Sequence, residues 1–367
     1  MIKVPEGFLL SGMHCGIKKK KLDLGLIACK DGAAGIGLFT RNVNPSYSVT
    51  ISKKHIKNTV KAVIVNSGNA NCFTDKKDLG NTLKACESLA RYLNIKKENV
   101  LICSTGIIGK RLPFFKINRS IPALCANLGR RYKEFAGSIL TTDNFEKVSF
   151  KEVKLKGSEI KILGFCKGAG MIHPNLATML SFILTDVKMN KSLLRKIFSK
   201  AVEKSFNSIS VDGCMSTNDT VLMLSSSKKS GLEDSRSINK FQEALEYVCK
   251  DLAKMIVKDA EGSTKFIELE VEGAKTEKEA KAAFQSIAGS LIFKAAMYGG
   301  NPNWGRIIST LGQVNIKVRE DKFEVKSSSL HKRNVKIRVN MGRGKFNWRG
   351  WFSDISPEYV KINAGHN

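Results

Sequence analysis

The chain contains no apolar run approaching the roughly 20 residues a membrane-spanning helix requires. Its first ten residues, MIKVPEGFLL, hold too short an apolar stretch for a secretory signal. We therefore expect no membrane association and a cytoplasmic location. Paired cysteine motifs are also missing. Cys15, Cys29, Cys72, Cys86, Cys103, Cys125, Cys166, Cys214 and Cys249 stand singly, with no C-x-x-C among them. An odd number at irregular spacing argues against a disulfide framework and against a zinc site, and predicts reduced, mostly buried thiols. The five histidines are equally dispersed, so the sequence offers no metal-ligand cluster. Acidic residues are scarce: 33 Asp and Glu against 61 Lys and Arg, a formal net charge of +28. Such an excess suits nucleic acid or acidic small molecules, or simply reflects a lysine-rich proteome. A nucleic-acid binder usually gathers its charge in one stripe, arm or helix. Here the lysines are spread along the chain, and the longest run, Lys18 to Lys21, reads as a solvated turn. We expect no nucleic-acid partner.

What is present is ordinary for a soluble globular protein: 42% apolar and 26% charged residues over 367 positions. That length allows one large domain or two to three smaller ones. Leu24–Cys29, Ile36–Phe39, Ala62–Val65 and Val100–Cys103 read as short buried strands. Apolar spacing predicts a helix over Asn81–Leu93 with Asn94 as its stop, and a helical segment around Ile121–Phe135. Residues 148–165 alternate as a hairpin with one wet face; residues 191–206 form an amphipathic helix, and Thr220–Leu224 a strand. Helical spacing returns over Asn239–Met255 and Glu277–Lys294, and strand-like runs over Val314–Val339. The mixture is α/β or α+β, with no internal repeat and no obvious linker.

Four segments carry small, polar or glycine residues where a simple core would be bulky, and such segments let backbone amides approach a ligand. The first, Val65-Asn66-Ser67-Gly68-Asn69-Ala70-Asn71, reads as a tight turn after a strand. The second, Cys103-Ser104-Thr105-Gly106-Ile107-Ile108-Gly109-Lys110, lacks the spacer and the final hydroxyl residue of a phosphate loop. It reads either as a strand-ending turn or as an oxyanion hole, in which a threonine side chain and a backbone N–H converge on one oxygen. The third, KGAGMIHPNLATML over residues 167–180, places Thr178 in an apolar run, where composition alone suggests a buried structural threonine. The fourth, residues 206–220, has only Asp212 and Asp219 as acids, too few for a calcium loop.

In this order, and followed by Ile287-Ala288-Gly289-Ser290, by GGNPNWGR over residues 299–306 and by Tyr359-Val360-Lys361-Ile362-Asn363-Ala364, the segments resemble the ornithine acetyltransferase family (bifunctional glutamate N-acetyltransferase). Pro5-Glu6-Gly7-Phe8 and Leu38-Phe39-Thr40 are similar to it too, so the resemblance spans essentially the whole chain. It implies a layered α/β (α+β) fold of the ornithine acetyltransferase and DmpA-like type. It also implies self-cleavage between Ala177 and Thr178, giving an α chain of residues 1–177 and a β chain of residues 178–367.

The resemblance further implies a double displacement through acetyl-Thr178, in which N-acetylornithine gives its acetyl group and glutamate receives it. Thr178 is the nucleophile, and Thr105 with Gly106 the oxyanion pair. Thr141 or Thr142, Lys167, Thr178, Glu261, Asn363 and Asn367 are the implied substrate contacts. No metal and no cofactor is implied, with acetyl-CoA as a possible co-substrate that separates bifunctional from monofunctional members. A heterotetramer of two α and two β chains is the implied assembly. The chain departs from the family after Asn363, where Ala364-Gly365-His366-Asn367 replaces a Tyr and a terminal hydroxyl residue. It departs again at Cys72-Phe73-Thr74-Asp75, where the family places its cysteine directly before the Thr. An aminopeptidase or amidase using the same nucleophile is the alternative within enzymes, and a basic nucleic-acid-binding protein the alternative outside them.

Overall fold

The computed structural model describes residues 1–155, 158–172, 179–230 and 234–365. Its elements begin with β1 (Leu9–Met13), β2 (Leu24–Phe39), α1 (Tyr47–His55) and β3 (Val60–Asn69). Next come α2 (Lys77–Leu93), β4 (Val100–Ile107), α3 (Phe114–Ala126) and α4 (Tyr132–Ser138). Then follow β5 (Lys147–Leu155), β6 (Ser158–Lys167), β7 (Leu180–Val187), α5 (Lys191–Glu203), β8 (Ile209–Ser210), β9 (Thr220–Lys229) and α6 (Ser235–Lys258). The remainder is β10 (Phe266–Ala274), α7 (Glu277–Gly289), α8 (Leu291–Tyr298) and α9 (Gly305–Gln313), then β11 (Glu324–Ser327), β12 (Asn334–Asn340), β13 (Phe346–Ser353) and α10 (Pro357–Ala364).

These elements divide into two units. The first takes Met1–Gly168, Thr178–Val202 and Met215–Leu252; the second takes Ala169–Ala177, Glu203–Cys214 and Ala253–Asn367. The expected chains 1–177 and 178–367 describe a cut in the backbone, a different property from this division by packing.

In the first unit the sheet order is β4-β3-β2-β9-β7-β6-β5, with β1 paired to β2. The β3–β4 and β7–β9 pairs are parallel and the others antiparallel. The unbroken apolar run of β3 follows from burial on both faces. Ala62 and Ile64 pack in one cluster with Leu89 of α2 and Ile121 and Leu124 of α3, while Val63 and Val65 pack in another with Phe135 of α4. Leu24–Cys29 and Ile36–Phe39, expected as separate strands, are the two ends of one strand. Its first part pairs with β3, its last part with β9, and the register shifts between Ala28 and Ala33. A bulge explains the polar break at Lys30-Asp31-Gly32 without ending the strand.

Asn94 stops α2 as expected, in the left-handed conformation at φ 54° with its N–H bonded to the Ala90 carbonyl. The segment expected as helical around Ile121–Phe135 is two helices instead. Between them Gly129 exchanges backbone hydrogen bonds with Leu10 of β1, a tertiary pairing that local spacing does not encode. The expected helix over Glu277–Lys294 also divides, at Ser290, whose extended backbone ends α7 and whose side chain caps α8.

The second unit carries a five-stranded sheet of order β11-β12-β10-β13-β8. Strand β10 alternates from Phe266 to Glu272, beyond which its register with β13 shifts. Ile267, Leu269 and Val271 join the core with Phe284 and Ile287 of α7, and on the other face Glu270 pairs with Arg349 at 2.7 Å. All nine cysteines are free thiols, eight of them buried and Cys214 exposed. Among the described residues, no helix is long and apolar enough to cross a membrane.

Candidate active site

The parallel ladder of the first unit lays the asparagine-rich segment beside the hydroxyl-glycine segment, pairing Ser67 with Thr105 and Gly68 with Gly106. Thr105 is nearly buried and lies within β4, which runs on to Ile107; it does not sit in a turn after the strand. The asparagines make this extension workable by absorbing backbone groups with their own side chains. The Ser104 hydroxyl donates to Asn66 Oδ1 at 2.6 Å, and Asn66 Nδ2 donates to the Asn69 carbonyl at 2.9 Å. Asn69 Nδ2 donates to the carbonyls of Lys110 and Arg111 at 3.1 and 2.9 Å. Gly106, at φ +136°, is the point of closest approach. A Cβ there would collide with the carbonyl carbon of Gly68 and the amide nitrogen of Asn69, so only glycine fits.

Lys167 ends β6, pairs in the ladder with Leu180 of β7, and is only 3% exposed. Its Nζ lies 3.3 Å from Thr105 Oγ1. Next to it in sequence, the Gly168 N–H donates to Asp143 Oδ1 at 2.7 Å. Asp143 is buried and also accepts from Lys147 Nζ at 2.6 Å and from the Thr141 N–H at 3.0 Å. Burial pushes the Asp143 carboxyl up, but the charges of Lys167 and Lys147, with these hydrogen bonds, outweigh it and hold the group well below the usual carboxylate range. Asp143 is therefore an anion fixed among lysines. It links Thr141, which is half-buried, to this group; Thr142 is exposed.

Lys18, expected in a solvated turn, is half-buried in the same unit and donates from Nζ to the Leu140 carbonyl at 2.9 Å. Burial, opposed by Asp23, pulls its ammonium down to about 8. Burial also pushes the thiols of Cys103 and Cys166 up, so both are neutral and neither is a reactive nucleophile.

In the second unit Glu261 and Asn363 come together. Asn363 Nδ2 donates to Glu261 Oε2 at 3.2 Å and to the Tyr359 carbonyl at 3.0 Å. The Glu261 N–H donates to the Ala169 carbonyl at 3.0 Å, and a Cβ on Gly170 would stand 2.6 Å from Glu261 Oε2. Gly170 thus leaves room for the carboxylate. Asp212 accepts from the N–H groups of Met171 and Ile172 at 2.6 and 2.9 Å, which fastens the segment ahead of residue 173. Ala177, Thr178 and Asn367 lie outside the described residues.

The structure therefore gathers Thr105, Gly106, Lys167 and Thr141 within one unit, and Glu261 and Asn363 within the other. Sequence reasoning missed Asp143, which has no pattern of its own, and the bonding of Asn218 and Asp219, whose only signal was the polarity of residues 216–219. Among the described residues, no group of three or more His, Cys, Asp or Glu side chains is placed to hold a metal ion.

The ArgJ family matches residues 9–367. The arginine biosynthesis bifunctional protein ArgJ of Caldanaerobacter subterraneus is 38% identical, over 100% of this chain and 98% of its own. The glutamate N-acetyltransferase of Methanopyrus kandleri is also 38% identical, over 99% of each. The structure of ornithine acetyltransferase complexed with ornithine from Mycobacterium tuberculosis is similar at 30% identity and a TM-score of 0.40, over 46% of this chain and 92% of that one. With the family matched over nearly every residue and relatives aligned over nearly the whole of both chains, this chain belongs to the ArgJ family.

Proposed function

We propose that the protein transfers the acetyl group of N-acetylornithine to glutamate, through an acetyl ester on Thr178, in arginine biosynthesis. The observation that carries this reading is the pairing of Gly106 against Gly68 with Lys167 Nζ at 3.3 Å from Thr105 Oγ1, in a chain of the ArgJ family. A threonine hydroxyl and a neighbouring N–H on a rigid strand suit an oxyanion that forms only in the transition state.

The reaction begins with maturation. The Thr178 hydroxyl attacks the Ala177 carbonyl, the acyl group passes from nitrogen to oxygen, and water hydrolyses the ester, leaving chains 1–177 and 178–367. The freed α-amine of Thr178, with an unperturbed pKa of roughly 7.7–8.0, then serves as base for its own hydroxyl. That hydroxyl takes the acetyl group from N-acetylornithine, ornithine departs, and glutamate accepts the group in a second step.

Thr105 and Gly106 stabilise both tetrahedral intermediates. Lys167, with Thr141 set beside it by Asp143, suits a substrate carboxylate; Glu261 suits an ornithine ammonium, and Asn363 the amino-acid end, with Asn367 as a further contact. The reaction uses no cofactor, the mature enzyme is a heterotetramer of two α and two β chains, and it works in the cytoplasm. Equal identity to a bifunctional relative and to a glutamate N-acetyltransferase leaves the use of acetyl-CoA to be assayed.

Initial rates with N-acetylornithine and glutamate varied together test the reading. Parallel double-reciprocal lines, with N-acetylglutamate and ornithine formed in equal amounts, are expected, and Thr178→Ala should be uncut and inactive. Release of free acetate from N-acetylornithine without glutamate, at the full rate, would indicate a hydrolase instead.

A further inference from the structure

Residues 216–219, just ahead of β9, have no part in the reading above, yet Ser216, Thr217, Asn218 and Asp219 are all buried. Asn218 spends both amide hydrogens on backbone: Nδ2 donates to the Ala70 carbonyl at 2.6 Å and to the Ser104 carbonyl at 2.8 Å. Its Oδ1 accepts from the Thr217 hydroxyl at 2.6 Å. Ala70 belongs to the asparagine-rich segment, and Ser104 immediately precedes Thr105. One side chain therefore grips β4 and the residue that directly follows β3, on both sides of the Gly68–Gly106 pairing.

Asp219 makes a second grip. Its Oδ1 accepts from the Met179 N–H at 2.9 Å, while the Thr220 N–H donates to the Met179 carbonyl at 3.1 Å. Its own carbonyl accepts from the Thr40 N–H at 2.9 Å, which fixes the corner from the other side. Met179, the residue directly after position 178, is thus held through both of its backbone groups. Adjacent residues 218 and 219 are joined by one trans peptide, about 3.8 Å between Cα atoms, so the two grips cannot move independently.

We propose that Asn218 and Asp219 are positioning residues of the transfer reaction, Asn218 holding the Thr105 strand and Asp219 holding the residue that follows the nucleophile. Together they set the distance between the oxyanion donors and the attacking hydroxyl. The proposal rests on the Thr178 reading. Each residue type fits its task. Two carbonyls require a side chain with two N–H donors, which asparagine has and aspartate lacks. Met179 needs one acceptor. Among the described residues Asp219 Oδ2 is buried without a hydrogen-bond partner, and burial, opposed by the Met179 and Ser216 N–H groups, pushes this carboxyl well up. The acceptor is therefore the carbonyl oxygen of a neutral acid, which asparagine also supplies.

Kinetics of Asn218→Asp, Asp219→Ala and Asp219→Asn test this, with intact mass and thermal melting recorded for each. A displacement of about 1 Å at a reacting centre costs on the order of 100-fold. Asn218→Asp and Asp219→Ala should therefore lower kcat about 10- to 100-fold with KM for glutamate changed less than about threefold. Asp219→Asn should stay within about threefold of wild type in kcat. If Asn218→Asp or Asp219→Ala does not fold, Asn218→Ser and Asp219→Ser take their places under the same expectation. Wild-type kcat in a variant lacking the grip, a loss carried by KM alone, or an Asp219→Asn as impaired as Asp219→Ala would overturn the proposal. A wild-type chain that transfers nothing would overturn the Thr178 reading together with this one, whereas an active wild type with unaffected variants would overturn this one alone.

Discussion

At Gly106 one methyl group decides whether β4 can lie against β3. A Cβ would meet the backbone of Gly68 and Asn69, and the residue's φ of +136° is itself strained for any other side chain. Gly106→Ala should therefore cost about 1–3 kcal/mol of stability, as overpacking does, and lower the melting temperature; an unshifted melt would contradict the packing described. Thr105→Val is the complementary change, keeping the size of the side chain and removing its hydroxyl. It should lower kcat on the order of 100- to 1000-fold with KM little changed, and a pure KM effect would count against an oxyanion role. Thr105, Gly106, Lys167, Glu261 and Asn363 were legible because motifs in a fixed order carried them. Asp143 was not, since a single aspartate in a loop shows nothing until folding sets it against Lys147 and Gly168.

Elements were legible where burial imposes a period and illegible where tertiary pairing overrides one. Helix α2 and the β5–β6 hairpin follow directly from spacing. The split of the Glu277–Lys294 helix does not, because Ser290 is a moderate helix former whose capping role depends on where the chain turns. Its Oγ accepts from the Phe293 N–H at 3.3 Å. Ser290→Ala should cost about 1 kcal/mol, read as a lower denaturant midpoint with unchanged slope; no change would mean that α8 is held by packing alone. Strand β10, left unassigned from sequence, alternates over most of its length. Glu270 and Glu272 match Arg338 and Arg349 on neighbouring strands, which nothing local reveals.

For the whole molecule, charge is the compositional anomaly, and one buried cation links it to stability. Lys294 is fully buried in the second unit, with Nζ donating to the Ser353 carbonyl at 2.7 Å and to the Ser210 carbonyl at 3.4 Å. Burial, opposed by Asp212 and Asp354, pulls its ammonium down to about 7 from 10.5. Between those values the unfolded chain holds the proton and the folded chain does not, so this group adds stability as pH rises from about 7 towards 10. Lys294→Met should lose that rise: the unfolding free energy of wild type minus that of the variant should be larger at pH 9 than at pH 7. A constant difference would contradict the assigned titration.

Whether Thr178 becomes the N-terminal nucleophile is read from intact-mass spectrometry of the purified protein before and after mixing with N-acetylornithine alone. Two chains divided between Ala177 and Thr178 are expected, with one acetyl group added to the chain that begins at Thr178 and removed again by glutamate. A single uncut chain, or an acetyl group carried on any other residue, would contradict that role for Thr178.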